Sequence, residues 1–334
     1  MAKVVVLGAG GWGCALAIAL CGENDVTLWS PFEEEIAHLR ANRGNEKLLP
    51  GVVIPEKVTL TTSLDCARDC DLVLMVTPSV AVRETARRLA GILPPGKVVV
   101  DAAKGIELAT TKLLCDCIEE ELPDCRSAVL SGPSHAEEVA RGVPTTVVAA
   151  ARDRQTALFV QDVVMNDTLR VYTNDDMVGV QLAGALKNII AVAAGILAGM
   201  GLGDNVMAAL ITRGLSEIAR LGRSLGAKES TFAGLAGIGD LVVTCMSQHS
   251  RNRRFGIALG KGMTAEQALE EVGMTVEGYH AVLAARKLAL RQGVEMPITE
   301  QLYRVLYENA DVNEAVAMLM TRPKKHEMEN VFVD

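Results

Sequence analysis

Aromatic residues are scarce in this chain: five Phe, four Tyr and two Trp make up 3% of 334 residues. Its core must therefore be built mostly from aliphatic side chains and alanine, within an ordinary hydrophobic content of 49%. Positive charge is in deficit. With 33 Lys and Arg against 41 Asp and Glu the formal charge is −8, which excludes a general nucleic-acid binder but not a small anionic substrate. Long hydrophobic runs are missing too. The longest uncharged apolar stretch, Ile189 to Gly203, has 15 residues, four of them glycine, against the roughly 20 needed to cross a bilayer. No membrane span is expected. Eight cysteines are scattered, and the closest spacings, Cys115-x-Cys117 and Cys66-x3-Cys70, lack the His or second Cys pair of a zinc site. Reduced thiols and no metal are expected. No internal repeat or low-complexity segment occurs. Met1-Ala2-Lys3 leads straight into an apolar run without a leader-like stretch, so a cytoplasmic location is expected.

What is present is concentrated at the start. The run Val4-Val5-Val6-Leu7 feeds into Gly8-Ala9-Gly10-Gly11-Trp12-Gly13, and a helical pattern, Ala15 to Leu20, follows at once. Strand, glycine turn and helix in this order form the dinucleotide-binding fingerprint. Gly8 permits the tight turn, Gly10 lets the backbone approach a pyrophosphate, and Gly13 lets helix and strand pack closely. The helix N-terminus offers free N–H groups to the phosphates.

At this length two domains are the natural expectation. Further apolar runs follow at Val26–Trp29, Leu72–Val76, Val98–Val100, Ala128–Leu130, Thr145–Ala149 and Leu169–Tyr172, separated by helical stretches. Such continuous apolar strands imply a parallel sheet covered on both faces. From about Asn174 long helical patterns take over: Met177 to Met200, Val206 to Leu225, Ala265 to Val272, Val276 to Gln292 and Ile298 to Glu308. The fold class is therefore α/β: an N-terminal Rossmann-type parallel-sheet domain, residues 1–174, followed by an all-α domain, residues 175–334. The segment Arg322-Pro323-Lys324-Lys325-His326 reads as a solvated end.

An open α/β sheet binds its ligands at strand ends, which draws attention to Thr77-Pro78-Ser79, Lys104-Gly105 and Ser131-Gly132-Pro133-Ser134-His135. Lys104 is either a surface lysine or an ammonium reaching a phosphate or substrate oxygen. His135 reads as a satisfied loop histidine. Lys187 shares a helix face with the small or apolar residues Val180, Ala183, Gly184, Ala191 and Ala194. There it is either snorkelling to solvent or buried, with a pKa lowered toward the range useful for proton transfer. Asp240, at the end of Gly234-Leu235-Ala236-Gly237-Ile238-Gly239, is either a helix N-cap or a carboxylate that holds a hydroxyl or orients a lysine. Ser250-Arg251-Asn252-Arg253-Arg254 puts three guanidinium groups and an amide within five residues. In an acidic protein this suits a phosphate-bearing small molecule better than a nucleic acid. Glu277 opens a helix, where it contacts a cofactor or simply complements the helix dipole.

Taken in order, Gly8–Gly13, Lys104-Gly105, Ser131–Ala136, Leu186-Lys187-Asn188, Gly239-Asp240-Leu241, Ser250–Gly256 and Val276-Glu277-Gly278 resemble the bacterial-type NAD(P)-dependent glycerol-3-phosphate dehydrogenases. The likeness runs from Lys3 to about Tyr307. It implies reversible hydride transfer between NAD or NADP and C2 of a three-carbon phosphate ester, dihydroxyacetone phosphate or sn-glycerol 3-phosphate, as a supply for phospholipids. By that resemblance Lys187 is the general acid–base residue, Lys104 polarises the substrate and touches the cofactor, and Asp240 holds the terminal hydroxyl and positions Lys187. Arg251 and Asn252 would clamp the phosphate, with Ser250, Gly132 and Ser134 completing the pocket. Gly8, Gly10, Gly11, Trp12, Gly13, Ala136, Thr275 and Glu277 would face the cofactor, with Lys104 and Arg251 near both ligands. A homodimer is compatible with the apolar second domain.

One segment departs from the pattern. Members that prefer NADPH carry Arg or His shortly after the second strand; here Trp29-Ser30-Pro31-Phe32-Glu33-Glu34-Glu35 puts Pro31 in that place, beside three glutamates. Arg40 and Arg43 are the remaining cations within reach. The segment leans toward NAD or dual use. Two other readings compete with this one: a β-hydroxyacid or sugar-acid dehydrogenase of similar architecture, and a nucleotide-sensing protein without turnover. The first does not usually show the Ser250–Gly256 block, and the second has no need of Lys187, Asp240 and Arg251 together.

Overall fold

The computed structural model describes residues 1–324 and 326–327. Its first half is an eight-stranded sheet with strand order β3-β2-β1-β4-β5-β6-β7-β8. The strands are β1 (Lys3–Leu7), β2 (Asp25–Trp29), β3 (Thr59–Thr61), β4 (Leu72–Met75), β5 (Val98–Asp101), β6 (Arg126–Ser131), β7 (Thr145–Ala151) and β8 (Leu169–Asn174). Six helices pack around them: α1 (Gly11–Leu20), α2 (Glu33–Asn42), α3 (Val82–Leu89), α4 (Leu114–Glu121), α5 (Ala136–Val139) and α6 (Arg154–Val164). In β1, Val4 and Val6 join one apolar cluster while Val5 and Leu7 join another on the opposite face. This period-two alternation with both faces covered explains why the strand reads as a continuous apolar run.

The sheet is not wholly parallel, as expected from sequence, but mixed. Strand β7 runs antiparallel to β6, with Leu130 opposite Ala149, and β8 is again parallel to β7. Apolar runs mark buried strands of either direction, so composition alone did not reveal the reversal. The short edge strand β3, Thr59–Thr61, lacks an apolar run and was not foreseen.

Beyond Asn174 the described residues are helical: α7 (Met177–Gly199), α8 (Asp204–Ser224), α9 (Glu229–Phe232), α10 (Asp240–Met246), α11 (Arg251–Gly260), α12 (Ala265–Val272), α13 (Glu277–Gln292), α14 (Pro297–Tyr307) and α15 (Val312–Met320). Helix α7 is long and apolar enough to cross a membrane, but 89% of its apolar window is buried inside the protein. It is the axis of the second half. Asp176 caps it by accepting from Gly179 N at 2.8 Å. Helix α11 crosses α7 at Gly195 and Gly199 on one side and Gly256 and Gly260 on the other. A Cβ at Gly195 would lie 2.1 Å from the Arg253 carbonyl oxygen, and one at Gly256 would lie 2.1 Å from that of Val192. Only glycine permits two backbones to approach so closely, and the crossing fixes Lys187 relative to Ser250–Asn252. Val129, Val148 and Ala150 of the sheet meet Met177, Val180 and Ala236 in an apolar cluster that joins the two halves. At the chain's end Arg322, Pro323, Lys324 and His326 are exposed, and Lys325 lies outside the described residues.

Candidate active site

The loops after β4 and β5 meet helices α13, α10 and α7 through the Ser79–Glu277, Lys104–Asp240 and Asn188–Lys104 bonds. The turn after β1, the candidate nucleotide site, uses three glycines in three different ways. Gly8 sits at φ +120°, where a Cβ would lie 2.7 Å from the Val76 carbonyl oxygen. A Cβ at Gly13 would lie 1.8 Å from the Gly8 carbonyl oxygen, so strand and helix touch there. A Cβ at Gly10 would meet nothing within 4 Å; its missing side chain leaves space in front of the α1 N-terminus. That terminus has no side-chain cap and no acidic residue in its first turn, so its N–H groups point at the space with the positive end of the helix dipole. Trp12 Nε1 is buried there without a partner, and Ala136 at the start of α5 faces Gly11. An orphaned donor, open N–H groups and a cradle without a side chain fit the pyrophosphate of a dinucleotide. Thr275 is exposed in the turn before α13. Glu277 lies deeper and accepts from Ser79 Oγ at 2.6 Å and from Ser79 N at 3.3 Å, tying α13 to the loop after β4.

The other part of the candidate site holds charge. Lys187, only 6% exposed, donates from Nζ to Asp240 Oδ1 and to Thr244 Oγ1, both at 2.6 Å. Lys104 donates to the other carboxylate oxygen, Asp240 Oδ2, at 2.7 Å and to the Gly132 carbonyl at 3.0 Å. Ser134 Oγ also donates to that carbonyl, at 2.9 Å. Two lysines thus share one aspartate, an oxygen each, and the cluster keeps a net positive charge. Asp240 is 1% exposed. Burial alone would raise its pKa, but Lys104 and Lys187 outweigh burial and hold it below the usual carboxylate range. For Lys187 the balance is reversed. Burial lowers its pKa to about 8, with Lys104 adding to the effect and Asp240 opposing it. Thr244 donates its own proton to the Asp240 carbonyl at 2.6 Å, which turns its lone pairs toward Lys187. An ammonium has three N–H donors and two are in use, so one remains for a ligand oxygen.

Neither bland account of these residues describes the structure. Lys187 does not snorkel to solvent. Asp240 is not an N-cap: it follows a π-helical turn, Leu235–Gly239, as the first residue of α10. Such turns are rare and recur at functional sites. His135, expected to be satisfied, has a buried Nε2 with no hydrogen-bond partner. Burial first, and the Lys187 charge second, lower its pKa.

The basic segment divides its labour. Ser250 Oγ caps α11 by accepting from Arg253 N at 3.2 Å. Asn252 is buried: its Oδ1 accepts from Gly278 N at 2.9 Å and its Nδ2 donates to Asn188 Oδ1 at 2.9 Å. Asn188 in turn donates to the Lys104 carbonyl at 3.2 Å. Three helices and the Lys104 loop are thereby laced together, leaving one Asn252 N–H for a ligand. Arg251 forms no hydrogen bond or close ion pair with another described residue, but desolvation lowers its pKa and the charges of Glu277 and Glu137 oppose that shift. Sequence reasoning gave no role to Thr244, Asn188 or Ser79. Thr244 was findable, since it lies one helical turn after Asp240; Ser79 and its partner Glu277 stand 198 residues apart, and no spacing rule connects them.

A fingerprint glycine turn together with a buried lysine–carboxylate cluster suits a nicotinamide-nucleotide-dependent oxidoreductase. The comparisons with known proteins make this specific. Residues 3–157 match the family model for the NAD-dependent glycerol-3-phosphate dehydrogenase N-terminus, and residues 176–317 match that for its C-terminus. The chain is 55% identical over 330 residues to glycerol-3-phosphate dehydrogenase (NAD(P)+) of Moorella thermoacetica, covering 98% of both chains. To the enzyme of the same name from Desulfitobacterium hafniense it is 49% identical over 332 residues, covering 99% of this chain and 94% of the other. Among solved structures, glycerol-3-phosphate dehydrogenase from Coxiella burnetii superposes with a TM-score of 0.93 at 39% identity, covering 96% of this chain and 99% of that one. The chain belongs to the NAD(P)-dependent glycerol-3-phosphate dehydrogenase family.

Proposed function

We propose that the protein interconverts dihydroxyacetone phosphate and sn-glycerol 3-phosphate in the cytoplasm, supplying the glycerol phosphate backbone of phospholipids. Residues 1–174 would bind the nucleotide and residues 175–334 would carry the acid–base chemistry. The observation that carries this reading is the pair of lysines on one buried aspartate, Lys187 and Lys104 on Asp240.

A bound nicotinamide would supply or accept the hydride at C2 of the substrate. The chain's own residues do the rest. In the reducing direction Lys187 donates a proton from Nζ to the C2 oxygen; in the oxidising direction it takes the hydroxyl proton back. A pKa of about 8 puts both protonation states within reach near neutral pH. Lys104, held by Asp240 and Gly132, adds positive charge where the alkoxide develops. Asp240 keeps Lys187 aligned and, with lone pairs to spare, accepts from the terminal hydroxyl. Arg251 binds the phosphate through its guanidinium fork, assisted by the remaining Asn252 N–H, and this remote grip orients C2 for transfer. Ser250, Gly132 and Ser134 border the same pocket.

The test is the loss of the near-ultraviolet absorbance of reduced nicotinamide on adding dihydroxyacetone phosphate, with a short 2-keto acid and a β-hydroxyacid in parallel. Turnover confined to the phosphate ester is the expected result. Turnover of the acids alone would replace this reading with a hydroxyacid dehydrogenase. Nucleotide binding without turnover of any substrate would replace it with a sensing protein.

A further inference from the structure

The end of β2 departs from the family's NADPH-type pattern, and the structure gives that departure a shape. Ser30, 1% exposed, follows β2 directly. Its hydroxyl donates to Glu35 Oε2 and accepts from Phe32 N at 3.3 Å, so the backbone turn aims it at the carboxylate. Glu35 reaches back from the first turn of α2 toward the glycine turn. There Cys14 Sγ donates to the Ala9 carbonyl at 3.2 Å, and burial first and the Glu35 charge second push the Cys14 thiol up to about 12. Glu35 is half-buried and bonded to the end of β2, where the Trp29 carbonyl accepts from Gly8 N at 2.8 Å, so the carboxylate stands beside the turn that begins α1. In a Rossmann-type site an acid in this region, some 20 residues past the last glycine, accepts from the ribose 2′-hydroxyl, whereas a basic residue there meets a 2′-phosphate.

The cations that sequence left open are engaged elsewhere. Arg40 Nη2 donates to the Leu60 carbonyl at 2.7 Å. Arg43 donates to the carbonyls of Ile54, at 3.2 Å, Pro55 and Val58, and lies 3.5 Å from Glu56. Both hold the 54–60 segment against α2. Turning toward the end of β2 would cost Arg40 that one bond and Arg43 several. Glu33 accepts from Thr62 Oγ1 at 2.8 Å, which keeps a second carboxylate at the same strand ends.

We infer that the Ser30–Glu35 pair is the specificity-determining element of the nucleotide site and selects NAD(H) over NADP(H). The Glu35 carboxylate accepts from the ribose 2′-hydroxyl of NADH, and it faces the 2′-phosphate of NADPH with like charge. A hydrogen bond to a charged group gained by NADH and like-charge repulsion met by NADPH act in the same direction, so a preference of at least about tenfold is expected. This inference rests on the dinucleotide reading of the Gly8–Gly13 turn, and the test separates the two.

The experiment is an equilibrium titration of the full chain with NADH and with NADPH, followed by calorimetry and without substrate. Tighter binding of NADH by about tenfold or more supports the inference. Replacing Glu35→Gln should shrink that ratio severalfold by weakening NADH and relieving NADPH. The pair Pro31→Arg with Glu35→Gln should bring NADPH level with NADH or ahead of it. Equal or tighter binding of NADPH by the unmodified chain would overturn the inference and leave the dinucleotide site standing, as would an unchanged ratio in a folded Glu35→Gln. Failure of both nucleotides to bind would overturn the dinucleotide reading itself, and the inference with it.

Discussion

The two parts of the proposed site are made by opposite means. The proposed nucleotide end is six consecutive residues, Gly8 to Gly13, and offers backbone: a turn, a helix N-terminus and space where side chains are missing. The proposed chemical end is assembled from Lys104, Lys187, Asp240 and Thr244, with Asp240 lying 136 and 53 positions from its two lysines, and it concentrates buried charge. A backbone site is set as soon as strand and helix form. A buried charge cluster exists only once the whole chain has folded, because each charge is tolerable only with its partners in place. Substitutions at the two ends should therefore fail in different ways.

The largest separation is expected from Lys187→Ala. Loss of the proton donor should lower kcat by about 10²- to 10⁴-fold while calorimetric nucleotide affinity stays within about twofold of the parent. A parallel loss of both would mean that the two ends are not separable. The converse variant is Gly10→Val. Nothing of the protein lies within 4 Å of the added Cβ, so Tm should hold, but the side chain occupies the approach to the helix N-terminus and should weaken nucleotide binding by at least about a hundredfold. An unchanged nucleotide affinity would show that the space is not used.

Arg251→Ala sharpens the contrast within the chemical end. Arg251 supports no other described side chain, so folding should be unaffected, and kcat/KM for the phosphate ester should fall by about 10- to 150-fold, the equivalent of a charge-assisted hydrogen-bond pair. Unchanged kinetics would remove Arg251 from the phosphate site. The smallest effect belongs to Ser79→Ala, which frees Glu277 from the contact that ties α13 to the β4 loop. A rise of about two- to tenfold in KM for the nucleotide with little change in kcat is expected. An equal fall in kcat would instead place the contact on the reaction itself.

The same contrast explains what could be read from sequence. The glycine turn, the β1 alternation and the apolar axis α7 are local patterns, legible because strand and helix periods are fixed by backbone geometry. The antiparallel β7 was not legible, since Thr145 to Ala149 reads alike in either direction. In the chemical end, Lys187 stood out as a charge on an apolar face and Asp240 as a carboxylate after a glycine run. Their meeting through Thr244, and the lacing of Asn252 to Asn188 and Gly278, depend on the glycine-lined crossing of α7 and α11. That crossing is invisible to any pattern on one segment. Asn252 was read as a phosphate ligand, yet most of its amide is used to hold the site's own elements together.

The most direct test of Lys187 as the proton-carrying group is the pH dependence of kcat measured in both directions on the unmodified enzyme. Reduction needs the ammonium and oxidation needs the free amine. With the Lys187 pKa lowered to about 8 by burial, the reductive rate should fall and the oxidative rate should rise as pH passes through that value. Opposed limbs meeting near one pH are the predicted result. Limbs of the same sign in both directions, or opposed limbs that persist in Lys187→Ala, would contradict the assignment.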